Sequence, residues 1–283
     1  MATTGPANGD SIVLPVDLGT AEFVPDPRRE RAWTLLVDGV AQSYVDLDRP
    51  AFLEFEYARR VAAVIEVVGP RDAPIRALHL GGGALTLPRY VAATRPGSVQ
   101  RVIERDGKLA GAVRRIVPLP ESADIELRVA DARAALRDRA PGDRYDLVIA
   151  DAYQAAQMPA QVATVEFTFA VREALADTGL YALNVTDLPG LPQSRVQAAT
   201  LRRVFPDVAV IGQPGVLRGR RFGNIVMAAS PRAGGLPVSR LAGVLRRAEG
   251  DRGKLVHGSE LDDFIAGARP LTDETAGIAD RML

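Results

Sequence analysis

Between residues 77 and 229 short apolar runs alternate with amphipathic stretches, and that alternation limits the chain to a layered α/β architecture. The runs at 77–80, 101–104, 125–129, 146–150, 181–185, 208–211 and 224–229 read as strands. Helical spacing fills the gaps near 87–94, 108–116, 132–136, 162–176 and 194–205. Regular strand–helix alternation of this kind predicts a parallel sheet covered on both faces. The last two runs are separated only by residues 213–223, which hold no helical signal. A hairpin therefore replaces the final crossover, and the last strand is expected to run antiparallel.

The flanks are read in the same way. Residues 1–19 are rich in Gly, Pro and small side chains and are expected to form a flexible arm, with 11–18 able to add an edge strand. Two apolar runs within 33–45 surround Asp38-Gly39, a pair suited to a tight hairpin turn because glycine accepts positive φ. Asp48 and Pro50 offer an N-cap and a first-turn proline for a helix carrying Phe52, Phe55, Ala58, Ala62 and Ile65 up to Gly69. After Pro231 come a Gly-Gly loop and two short amphipathic helices near 241–248 and 260–266. The expected organisation is an arm (1–19), a β-hairpin with its linking helix (20–69), a nucleoside-binding core (70–232) and a C-terminal helical extension packed on it (233–283).

Composition narrows the function. With 283 residues, 47% of them hydrophobic, the chain can bury a large core without staples. Lys plus Arg equal Asp plus Glu at 35 each, so no net field favours a nucleic acid. Lys108 and Lys254 are the sole lysines, which leaves little for Schiff-base chemistry. The absence of cysteine removes disulfides, thiolate metal sites and thiol nucleophiles, and two histidines are too few for a zinc centre; no metal is expected. No stretch of 18 uncharged apolar residues occurs, and residues 1–10 lack a basic segment followed by an apolar run. The expectation is a cytoplasmic protein with no membrane partner.

The chemistry-bearing residues cluster at strand ends. Gly81-Gly82-Gly83 follows the first core strand, where missing side chains let a ligand approach the backbone; a purely structural turn is the other reading. Glu104 ends the next strand about twenty residues on, where a carboxylate accepts hydrogen bonds from ribose hydroxyls. Leu85, Thr86 and Leu87 replace the second half of a Gly-x-Gly-x-x-Gly pattern, which argues for an adenosyl group without a pyrophosphate. Asp131, with Ala132, follows the third strand and serves either as an N-cap or as the acceptor for an adenine amino group. Asp151 ends the fourth strand, where it can attract an amine and take its proton, and Tyr153 stands two residues on as a substrate-packing candidate. His79 reads as a satisfied interior histidine, His257 as a lone loop residue, and Arg218 to Arg221 with Phe222 as a solvated hairpin.

These residues resemble the spermidine synthase family. Val37-Asp38-Gly39-Val40-Ala41-Gln42 is similar to the family's Leu-Asp-Gly-x-x-Gln segment. Leu80-Gly81-Gly82-Gly83, Val102-Ile103-Glu104-Arg105-Asp106, Val129-Ala130-Asp131-Ala132 and Tyr145-Asp146-Leu147-Val148-Ile149-Ala150-Asp151 follow in the family's order. The resemblance, together with the seven runs and their closing hairpin, implies an α/β fold: a seven-stranded methyltransferase-like Rossmann sheet with a small N-terminal β-hairpin subdomain. It further implies that Gln42, Glu104 and Asp131 contact the nucleoside of decarboxylated S-adenosylmethionine or S-adenosylmethionine, a co-substrate rather than a tightly bound cofactor. Asp151 would take the proton of a small-molecule amine acceptor, and the chain would form a homodimer.

Three features of the family pattern are missing. Its glycine motif continues with Asp and Gly, but Ala84 and Leu85 stand here; its second loop acid is replaced in Asp151-Ala152-Tyr153-Gln154-Ala155; and its His-Pro-Leu segment is missing after Tyr57. A polyamine needs several carboxylates to offset its desolvation. The leading expectation is aminopropyl transfer, with methyl transfer and a catalytically inactive nucleoside-binding homologue as alternatives. Leu271-Thr272-Asp273-Glu274 is similar to an acidic ending found in such proteins.

Overall fold

The computed structural model describes residues 10–140, 142–152, 158–247 and 253–278. Four strands, β1 (Ile12–Val16), β2 (Gly19–Pro25), β3 (Ala32–Val37) and β4 (Val40–Asp46), form an antiparallel sheet in that order. Asp38 and Gly39 turn β3 into β4 with φ of 49° and 77°, the doubly positive pair that a two-residue hairpin requires. The expected single hairpin is thus half of a larger sheet. Residues 12–19 form the edge strand that 11–18 can add rather than a loose arm: they supply β1 and the turn into β2, and the amides of Asp17 and Leu18 donate to the Asp106 carboxylate at 3.1 and 2.8 Å.

α1 (Glu56–Val67) starts six residues after Pro50, later than the Asp48 cap predicts. Asp46 is the reason: its Oδ1 accepts from the amides of Asp48 and Arg49 at 3.1 and 2.9 Å, tying that stretch into a turn. The Phe52 ring is then held against Tyr44 and under the Arg29 guanidinium. At the other end the buried Arg95 donates to the carbonyls of Ile65 and Val68, both at the C-terminal end of α1, and to those of Pro70 and Ala73 just beyond. Arg95 thereby supplements the backbone donors at this helix end, where the Val68 amide reaches the Ile65 carbonyl at 3.2 Å and the Ala73 amide the Pro70 carbonyl at 3.4 Å.

The main sheet comprises β5 (Arg76–Leu80), β6 (Val99–Glu104), β7 (Asp124–Val129), β8 (Tyr145–Ala150), β9 (Leu175–Asp187), β10 (Asp207–Gly212), β11 (Gly223–Ser230) and β12 (Lys254–His257). Their spatial order is β12-β10-β11-β9-β8-β5-β6-β7. β7, β6, β5, β8 and β9 pair in parallel, while β11 runs antiparallel between β9 and β10. The seven expected strands are all there, and an eighth extends the edge. β12 lies between the two expected C-terminal helices, in a stretch read as loop, and places His257 opposite Ala209, its Nε2 2.7 Å from Asp207 Oδ1.

The helices α2 (Thr86–Thr94), α3 (Gly107–Ile116), α4 (Ala132–Arg137), α5 (Val165–Ala174), α6 (Pro192–Val204), α7 (Pro214–Leu217), α8 (Val238–Arg247) and α9 (Ser259–Ile265) complete the layers. α7 is one short turn inside 213–223, a stretch that shows no helical signal; Pro214 at its first position supplies the fixed φ. One sheet face packs on α4, α5, α6 and α9, and the other on α1, α2 and α8. A third core joins Phe23, Trp33 and Leu35 of the small sheet to α3 and to Ala84 and Leu85, so the small sheet is built onto the glycine turn rather than appended to it. Among the described residues no helix is long and apolar enough to cross a membrane.

Candidate active site

A cavity of about 780 Å³ lies beyond the C-terminal ends of β5, β6, β7, β8 and β9, roofed by β4 and the first turn of α1. Its position follows from topology, because strand order reverses between β5 and β8 and the crossovers leave a crevice there. The volume suits a small organic ligand.

One half is the turn after β5. Gly81 has φ +105°, and a Cβ there would collide with the Asp151 backbone carbonyl, so glycine is required where the ends of β5 and β8 converge. The Glu104 carboxylate accepts from the amides of Gly82 at 2.9 Å, Gly83 at 3.3 Å and Asp106 at 2.9 Å, and so holds the turn open toward the cavity. Asp131 Oδ1 caps α4 through the amides of Arg133 and Ala134 at 2.9 and 3.1 Å. Its Oδ2 lies 3.5 Å from Gln161 Nε2, and Asp131 and Ala132 both line the cavity. The capping role is therefore realised, and it leaves one carboxylate oxygen on the cavity side. Gln42 reaches the cavity from β4, and its carbonyl accepts the Tyr57 hydroxyl at 3.1 Å.

The other half surrounds Asp151. Its Oδ1 accepts from Asn184 Nδ2 at 2.9 Å. Burial among the cavity walls pushes its pKa above the usual carboxylate range, opposed in part by hydrogen bonds from Asn184 and Tyr57. Asn224 Nδ2 donates to Asn184 Oδ1 at 3.2 Å and to Thr186 Oγ1 at 3.0 Å, continuing the polar line across β9 and β11. Opposite, Glu56 on α1 pairs with the buried Arg60 at 3.0 Å and accepts from Gln213 Nε2 at 2.7 Å. His79 sits deep in the wall with Nε2 2.9 Å from Gln100 Oε1, and burial pushes it down to about 4, so it is neutral at pH 7. It is the satisfied interior histidine its sequence position predicts.

Gln42, the three glycines, Glu104, Asp131, Ala132 and Asp151 thus line a single cavity, although they span 110 residues of sequence. Tyr153 lies outside the described residues. The basic hairpin is solvated as expected, with Arg218, Arg220, Arg221 and Phe222 exposed; Arg221 and Phe222 also line the cavity, with Arg221 Nη2 2.6 Å from Gln213 Oε1. Tyr57, Arg60, Asn184, Thr186, Gln213 and Asn224 were not singled out by sequence reasoning. The available signal was Asn184 and Asn224, amides inside otherwise apolar strands, and the i,i+4 spacing of Glu56 and Arg60. Among the described residues no cluster of His, Asp or Glu could hold a metal ion.

No family model matches the chain. A probable spermidine synthase from Corynebacterium glutamicum is 30% identical and superposes with a TM-score of 0.84 over 94% of this chain and 97% of that one. A polyamine aminopropyltransferase from Vibrio vulnificus is 26% identical over 152 residues, 53% of this chain and 49% of that protein, so the match spans about half of that relative's length. Human methyltransferase-like protein 13, in complex with SAH, shares the fold at a TM-score of 0.54 and 19% identity over 81% of this chain and all of the other.

Proposed function

Because the chain belongs to the spermidine synthase family, we propose that it transfers an aminopropyl group from decarboxylated S-adenosylmethionine to an amine. The observation that carries this reading is the placement of Asp151, a carboxylate made more basic by burial, in the same cavity as the Gly81 turn and Glu104. In this reading the Glu104 and Asp131 carboxylates and Gln42 receive the nucleoside. The donor's aminopropyl carbon then points toward Asp151. The acceptor nitrogen attacks the carbon beside the sulfonium; the C–N bond forms as the C–S bond breaks, and the electron pair stays on sulfur in the leaving methylthioadenosine. The surplus proton on nitrogen passes to Asp151, whose raised pKa brings it nearer to working pH.

A second reading draws on Ala84 and Leu85, which are 1% exposed and packed in the third core. No acid reaches the donor's tail from that position, which removes one reason to prefer the decarboxylated, cationic tail over that of intact S-adenosylmethionine. Calorimetric titration with both donors and with methylthioadenosine separates the two. Tighter binding of the decarboxylated donor, with methylthioadenosine released on adding an amine, supports aminopropyl transfer. Tighter binding of the intact donor favours methyl transfer, and binding without product leaves a nucleoside-binding protein. A homodimer in the cytoplasm is the setting this reading carries with it, and light scattering tests the first.

A further inference from the structure

We infer that the acceptor is an amine with one positive charge and an uncharged hydrogen-bonding tail, of the amino-alcohol type, rather than a diamine; this rests on the transferase reading above. The acceptor half of the cavity is walled by neutral polar groups. Asp151, Asn184 and Asn224 form a row across three neighbouring strands, linked at 2.9 and 3.2 Å, and Thr186 joins it at 3.0 Å. Beyond Asp151, this row presents two amides and a hydroxyl, which satisfy a hydroxyl or an amide but cannot neutralise an ammonium.

Among the described residues, the Glu56 carboxylate facing that row is already engaged. Both carboxylate oxygens of Glu56 are engaged, one by Arg60 at 3.0 Å and the other by Gln213 at 2.7 Å. Arg60 is 1% exposed, so its positive charge stands inside the wall. At the mouth Arg221 makes no ion pair among the described residues and donates to the neutral Gln213. Glu54 is exposed and solvated. Of the described residues lining this half, the carboxylates are Glu54, Glu56 and Asp151 and the guanidiniums are Arg60 and Arg221, an excess of one negative charge. After Asp151 no further Asp or Glu occurs in the sequence until Glu166. One ammonium is therefore compensated, at Asp151. A second would be desolvated beside amides and two guanidiniums, which is unfavourable without a partner of opposite charge.

The transfer balances as before: the amine nitrogen bonds to the aminopropyl carbon, methylthioadenosine leaves with the C–S electron pair, and one proton moves to Asp151, while the tail hydroxyl takes no part. The test compares 4-amino-1-butanol with 1,4-diaminobutane, equal in length and different in one terminal group. The full chain is used, with methylthioadenosine release from the decarboxylated donor as the rate readout. Binding of each amine in the presence of methylthioadenosine is measured separately by calorimetry. The amino alcohol is expected to have kcat/KM higher by about tenfold or more, and Asn224→Asp, which adds a carboxylate to the row, to shift the preference toward the diamine by about as much. A wild-type preference for the diamine, in rate or in binding, overturns the inference whatever the variant does. Release with neither amine while methylthioadenosine still binds overturns the transferase reading instead. The binding comparison then judges the charge inference by itself.

Discussion

Arg133 and Asp273, 140 residues apart, meet as a bidentate ion pair with N–O distances of 2.6 and 2.7 Å. The same guanidinium donates to Thr164 Oγ1 at 2.7 Å and to the Gln161 carbonyl at 3.0 Å. Arg133 directly follows Asp131 and Ala132, so the pair ties the C-terminal segment to an element that lines the cavity. The Val165 amide donates to the Leu271 carbonyl at 2.8 Å, and the Asp273 amide to Glu166 at 2.9 Å, completing the strap.

Asp273→Asn should lower the unfolding free energy at neutral pH by about 1–2 kcal/mol, since the pair is bidentate but both side chains keep about a quarter of their exposure. The hydrogen bonds from Arg133 hold the Asp273 pKa below its ordinary 3.8. Its contribution is therefore fully present above the unfolded value and is lost as pH falls through the lower folded one. Urea titrations of both proteins should show a gap that persists at pH 7 and closes only well into the acid range. Equal stability at pH 7 would mean that the pair is merely a solvated contact.

Asp151→Asn should reduce transfer by about 10²–10⁴-fold, the usual weight of a general base, while methylthioadenosine binding stays within about twofold. Because burial raises the folded pKa of Asp151, its charged form weakens the fold at neutral pH; the stability it lends is present below pH 3.8 and lost as pH rises through the folded value. The variant should thus melt at the same temperature as the parent or higher at pH 7. The parent's rate should rise with pH through a midpoint above 3.8. An unchanged rate in the variant removes Asp151 from the proton transfer.

Gly81→Ala places a methyl group against the Asp151 carbonyl at a φ of +105°. A loss of about 2–4 kcal/mol is expected from the clash together with the strained backbone, read as a lower melting temperature. Parent-like melting with intact binding would show that the ends of β5 and β8 have room to separate.

Glu104→Ala removes the acceptor for three backbone amides and the expected acceptor for ribose hydroxyls. Losing charge-assisted hydrogen bonds of this kind costs about 1.5–3 kcal/mol, which predicts a methylthioadenosine Kd weaker by roughly 10–150-fold. Calorimetry on both proteins checks it, and an unaltered Kd would assign Glu104 to holding the turn alone.

The sequence by itself determined whatever depends on near neighbours. The alternation of periods in residues 77–229 marks seven strands, Asp38-Gly39 marks a hairpin through the φ that glycine permits, and the Gly81 turn with Glu104 and Asp151 marks strand ends that open on a crevice. Where a local signal failed, a distant or competing partner had intervened. Asp46 captured the amides that Asp48 was expected to leave for a helix, and four-residue β12 took its strand geometry from pairing with β10 rather than from its own pattern. The cavity wall around Asn184 and Glu56 was beyond such reading altogether. Asn184, Asn224, Glu56 and Gln213 come from β9, β11, α1 and the segment after β10, which become neighbours only when β11 inserts between β9 and β10 and α1 packs across their ends. Hydrogen bonds and charge compensation act through space over a few ångströms. Only the tertiary structure could decide which side chains share them.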